Sequence, residues 1–87
     1  MAAPATTGAP LQWDLELTDT FGGQANYSWV RRETLQLPAG ASRLRIIRAA
    51  KAALGLTGTP CRTFDHGDSY ELRPYGSCTV AFITPTA

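Results

Sequence analysis

Asp65-His66-Gly67-Asp68 is the one stretch of this chain where catalytic residue types crowd together. An imidazole beside two carboxylates has the composition of a general base or of part of a metal site. The same residues also spell a tight turn, because Asp bonds its own backbone and Gly accepts a left-handed φ. His66 is the only histidine and Cys61 and Cys78 are the only cysteines, too few ligands for a structural zinc site. A reactive thiol in Pro74-Tyr75-Gly76-Ser77-Cys78 would need a neighbour that lowers its pKa. Alternation of Cys78 with Val80 and Phe82 instead predicts a core position. No nucleophile elbow, P-loop or Gly-rich dinucleotide pattern occurs. The expectation is a non-enzymatic protein with no catalytic residues, no metal and no cofactor.

Residue types that make contacts are concentrated elsewhere, in Asp19-Thr20-Phe21-Gly22-Gly23-Gln24-Ala25-Asn26-Tyr27-Ser28-Trp29-Val30-Arg31-Arg32. Gly22-Gly23 can reverse the chain at little steric cost. The returning strand then carries aromatic rings and paired arginines, the side chains that dominate protein contact surfaces. Rings and guanidinium groups on a sheet also suit single-stranded nucleic acid, where bases stack and cations hold phosphate. For Tyr27 and Trp29, packing on Trp13 across the hairpin is the favoured reading. Arg31 and Arg32 are expected at a contact surface, with Phe21, Gln24 and Asn26 of the turn. Arg43, Arg45 and Arg48 of a following helix form a second candidate surface, suited to phosphates or an acidic protein.

The elements that must position these residues follow from periodicity. Leu11, Trp13, Leu15 and Leu17 alternate with polar residues, as in a strand with one wet face. Asn26–Leu37 returns as a second strand. There Arg31 and Glu33 share the parity of Tyr27, Trp29, Leu35 and Leu37. This predicts either a bulge near Val30 or a strand running beyond its sheet. After Pro38-Ala39-Gly40, Ser42 is the expected N-cap of a helix from Arg43 to Leu54, ended by Gly55. Ile46, Ile47, Ala49, Ala50, Ala53 and Leu54 make its apolar face; Arg45, Arg48 and Lys51 lie opposite, with no acid in the helix. A short strand at Cys61–Phe64 is optional, and further strands are expected at Ser69–Arg73 and Ser77–Thr84. The last carries apolar residues on both faces, as a central strand does.

The expected fold is therefore α+β: an antiparallel four- to five-stranded sheet with one helix on one face, in the order β-β-α-β-β. A β-grasp-like arrangement is the alternative. Residues 1–10 read as a disordered arm and 11–87 as one domain. Eighty-seven residues leave no room for a second core. The hydrophobic fraction of 44% and charged fraction of 17% argue against disorder. A net charge of +1 gives no global attraction to nucleic acid or membrane and does not suit a DNA mimic. No apolar run approaches the ~20 residues of a membrane span, and Met1–Thr7 has no basic or apolar signal regions. A cytoplasmic chain with reduced cysteines is expected.

Three segments resemble a group of short uncharacterised proteins of phages and mobile elements: Asp19-Thr20-Phe21-Gly22-Gly23, Ala25-Asn26-Tyr27-Ser28-Trp29-Val30-Arg31-Arg32 and Leu72-Arg73-Pro74-Tyr75-Gly76-Ser77-Cys78-Thr79-Val80. The resemblance carries over no activity and no catalytic residues. It does imply a setting in which anti-CRISPR inhibitors occur, proteins that occupy a surface of a host defence complex. The partner expected on that basis is a host protein or ribonucleoprotein complex. The competing expectation is a small nucleic-acid-binding module that uses the basic helix or the aromatic strand.

Overall fold

A computed structural model describes residues 10–86; of the arm expected over residues 1–10, residues 1–9 lie outside them, and Pro10 belongs to the first strand instead. The elements are β1 (Pro10–Phe21), β2 (Gln24–Pro38), α1 (Arg43–Ala53), β3 (Cys61–Asp65), β4 (Tyr70–Pro74) and β5 (Thr79–Pro85). The optional short strand is thus a full member of the sheet. All ladders are antiparallel, and the five strands lie in the order β2-β1-β5-β4-β3. The β1–β2 hairpin and the β3–β4–β5 meander are joined by the β1–β5 ladder. That ladder places the first and last strands side by side but antiparallel, which removes the β-grasp alternative. The connection through α1 runs from one edge strand to the other and covers one face on the way.

Register explains the core. Trp13, Leu15 and Leu17 stand opposite Pro85, Ile83 and Ala81 of β5, and Tyr70 and Leu72 continue the same face onto β4. Ile46, Ala50 and Leu54, one helical turn apart, close over them. Leu15, Leu72, Ala81 and Ile83 are essentially inaccessible, and Trp13 stacks on Tyr70 at 6.2 Å between ring centres. In the central strand β5, Ala81 and Ile83 are buried under α1, while on the other face Val80 is buried, Phe82 half-buried and Thr84 exposed, so the two-sided cover its sequence suggests holds only in part.

The helix begins and ends where capping chemistry places it. Ser42 is the N-cap, and its hydroxyl accepts from the Arg45 N–H at 3.2 Å. At the other end Gly55 takes φ +74, and the Leu56 N–H reaches back to the Lys51 carbonyl at 2.7 Å. This is the six-residue closure typical of a left-handed helix end.

Candidate binding end

The far half of the β1–β2 hairpin is built on a different principle. Phe21-Gly22-Gly23-Gln24 closes as a two-residue turn with φ +63 and +85 at the glycines. Two successive positive φ values are what a tight hairpin needs, and glycine supplies them without strain. Two rungs below the turn the register breaks: Asp19 alone on β1 faces Asn26–Trp29 on β2. Tyr27 takes the left-handed φ of +57 that accommodates the excess. The sequence offered a bulge near Val30 as one of its two solutions, and the chain takes it just before that residue.

Asp19 holds this irregular stretch. Its carboxylate accepts from the Ser28 N–H at 3.0 Å, from the Ser28 hydroxyl, and from the Asn26 amide at 3.0 Å. These bonds, Ser28 first, hold the Asp19 carboxyl far below the usual carboxylate range. A second clamp is Thr18, which is fully buried and whose hydroxyl donates to the Trp29 carbonyl at 2.7 Å. The third comes from outside the hairpin: Arg73 of β4 donates to the Gly23 carbonyl at 2.6 Å.

That last contact shows where the tip lies. Thr18 and Val80 pair on the sheet face away from α1, yet both are fully buried. Arg73 lies on this face too, so its bond to Gly23 brings the tip to the side of the sheet on which Thr18 and Val80 lie. Arg73 also bonds Glu71, which His66 Nε2 approaches at 3.1 Å. Burial pushes the Glu71 carboxyl up, but hydrogen bonds from Arg73 and His66 outweigh it, so the net shift is downward. Nearby, Glu16 pairs with Arg32 at 3.3 Å and lies beside Tyr27, whose phenol it holds above its ordinary value.

Tyr27 and Trp29 depart from the core reading. They are 50% and 46% exposed, and Trp13 faces Leu35 rather than either ring. The bulge takes them out of the regular ladder that pairs β2 with the core positions of β1. Cys78 departs as well: it lies exposed in the turn before β5, not in the core. Its carbonyl instead accepts from the Thr20 N–H at 2.9 Å, which brings the β4–β5 turn beside the hairpin tip.

The predicted contact residues fall into three places. Phe21, Gln24 and Asn26 meet at the tip, with Phe21 79% exposed, Gln24 exposed and Asn26 turned onto Asp19. Tyr75, in the neighbouring turn and 63% exposed, joins this end without having been singled out by sequence. Arg31 lies on the α1 face, where it donates to the Ala53 carbonyl at 3.1 Å and pairs with Glu33 at 3.3 Å. A guanidinium there meets the unpaired carbonyls and negative end of the helix. Arg32 is on the opposite face with Glu16. On α1, Arg43 approaches Asp65 at 3.8 Å and lies over the Tyr70 ring. Arg45 and Arg48 are exposed, and among the described residues neither has a carboxylate partner within 4 Å.

Asp65, His66 and Asp68 form the turn their composition suggested. The Asp65 carboxylate accepts from the Gly67 N–H at 2.8 Å, and the His66 N–H bonds the Ser69 carbonyl at 2.9 Å. Among the described residues no group of three or more His, Cys, Asp or Glu is placed to hold a metal ion. No described helix is long and apolar enough to cross a membrane. No family model, curated protein or solved structure matches the chain.

Proposed function

We propose that this chain is a non-enzymatic binding protein that docks on a protein surface through its hairpin end. The observation that carries the reading is Phe21, 79% exposed at the tip of a turn held from three sides by Asp19, Thr18 and Arg73. A large ring held out in water on a braced frame gains nothing for folding. It loses little conformational entropy when a partner covers it, which is the economy of a preorganised contact. Gln24 and Tyr75 flank it and supply the mixed aromatic and polar character of such surfaces. Inhibition of a host defence complex by masking, in the manner of anti-CRISPR proteins and in the host cytoplasm, is the form of this reading that the segment resemblance supports.

The test compares immobilised wild-type protein with a Phe21→Ala/Gln24→Ala variant in nuclease-treated host lysate. The expected result is a stoichiometric protein retained by the wild type and lost by the variant. Equal retention by both removes the hairpin end from the contact.

A second reading rests on Arg45 and Arg48, which stand exposed and, among the described residues, without carboxylate partners on a helix that contains no acid. It makes the chain a nucleic-acid-binding module. Its signature is affinity that falls steeply with salt and is reduced by Arg45→Ala/Arg48→Ala. Salt-independent retention rejects it.

A further inference from the structure

We propose that two copies of this chain associate edge to edge through β2, in a register centred on Arg32, to form a continuous ten-stranded antiparallel sheet. The proposal concerns a surface separate from the hairpin tip and does not rest on the binding reading.

Among the described residues β2 is an edge strand of 15 residues, paired on one side only. Edge strands offer a row of unpaired N–H and C=O groups, and folded proteins usually blunt them with Pro, charged side chains or a bulge. The first part of β2 is blunted in this way, by the Asn26–Trp29 irregularity and the positive φ of Tyr27. The stretch from Val30 to Leu37 contains no Pro or bulge and keeps an unbroken register with β1, and its charges, Arg31, Arg32 and Glu33, are of both signs and so do not by themselves repel a second copy. The opposite edge, β3, offers only the five residues Cys61–Asp65.

Symmetry narrows what such an edge can pair with. A two-fold axis perpendicular to the sheet continues it antiparallel and keeps both helices on one side. It also pairs residues of the same face, so the axis must pass through a residue rather than between two. With the axis at Glu33, the two Glu33 carboxylates would confront each other. At Thr34, Arg31 would face Leu37 and Glu33 would face Leu35. Only the axis at Arg32 sets Arg31 directly opposite Glu33 of the second copy, twice over. In the single chain the two are paired with each other at 3.3 Å and remain 50% and 41% exposed, and association exchanges that pair between the copies.

The same register accounts for two other observations. Trp29 ends the irregular stretch, one residue before the regular ladder resumes at Val30, and in this register it comes nearest to Leu35 of the second copy. The former is 46% exposed and the latter incompletely covered in the single chain. An aromatic ring against a leucine is a favourable cross-strand pair. On the other face the two Arg32 side chains meet at the axis, each already neutralised by Glu16 at 3.3 Å.

Sedimentation velocity over a concentration series tests this. The wild type is expected to show a monomer–dimer equilibrium. Glu33→Arg places like charges opposite each other at two positions and should weaken the dimer by about tenfold or more. Arg31→Glu should do the same. A mixture of the two variants should form a heterodimer, because each glutamate then faces an arginine. Arg31→Glu also disturbs the helix end, so its folding is checked by circular dichroism. Trp29→Ala leaves the helix contact intact and should weaken the dimer independently. A wild type that stays monomeric at all concentrations overturns the proposal. So does a Glu33→Arg protein that dimerises as tightly as the wild type.

Discussion

The two halves of the β1–β2 hairpin are made of the same two strands but held by different forces. Between Pro10 and Leu17 the hairpin keeps strict register with β2, and its inward side chains sink under α1. Between Thr18 and Val30 it is fastened by a carboxylate, a hydroxyl and a guanidinium, and its aromatic rings face outward. Apolar burial is non-directional, so it suits a half that need only exclude water. Hydrogen bonds fix direction, so they suit a half that must hold an irregular backbone in one shape. The difference teaches that the outer half is specified for shape while the inner half is specified for stability.

The largest effect that sharpens this contrast should come from the inner side. Leu72 is fully buried against Ala81 in the core beneath α1. Leu72→Ala should cost about 2–5 kcal/mol through lost transfer energy and the cavity left behind. In a domain of this size that is a large share of the total. Urea unfolding would show it as a lower midpoint, and a loss under 1 kcal/mol would mean the core is not where stability resides.

Arg73→Met should have the next largest effect, because Arg73 ties the two regions together. It removes the strap on Gly23 and one partner of the half-buried Glu71 carboxylate. The expected cost is about 1–2 kcal/mol, chiefly from leaving that charge less satisfied. Amide exchange should rise at residues 21–28 by more than at the core strands. A uniform rise would mean that the tip and the core open together.

Asp19→Asn should be smaller in global stability and more specific in place. The carboxylate's donors are all in the hairpin itself, so exchange should rise at Ser28 while the β5 amides stay protected. The sign of the pH dependence follows from the depressed carboxyl. Its stabilisation is fully present above the ordinary Asp value near 3.9 and drains away as pH falls below it. Asp19 should therefore show no protonation step near pH 4 in a carboxyl-carbon titration of the folded protein. The hairpin should loosen only as acid unfolding sets in. A step at the ordinary value would show that the clamp does not form.

Much of the inner half was legible because alternation reports burial directly. Leu11 to Leu17, the α1 stripe and the two-sided apolar pattern of β5 each define an element and a face. Ser42 and Gly55 mark the helix ends because their chemistry is local. The outer half was legible only as a turn. Its shape depends on Thr18, Asp19 and Arg73, and polar residues give no periodic signal. One clue was present: across a two-residue turn at Gly22-Gly23, Asp19 falls opposite Asn26, a donor for its carboxylate. The contact of Arg73 with Gly23 spans 50 residues and exists only once β5 has brought β4 beside β1. Parity alone read Tyr27 and Trp29 as core, because a bulge resets which residues face which partner.

Phe21→Ala should have the smallest effect on folding, and for that reason it bears most on function. The side chain is 79% exposed at the tip, so its removal leaves neither a cavity nor an unpaired group. Stability should stay within about 0.5 kcal/mol of wild type, as for surface positions in general. If urea unfolding instead shows a loss above 1 kcal/mol, the ring is part of the cover over Thr18 and Val80. The outer half would then differ from the inner half in degree only. If stability is unchanged, the fold has no use for the ring, as the docking proposal requires, and the ring's exposure on three separate clamps is left for the binding test to explain.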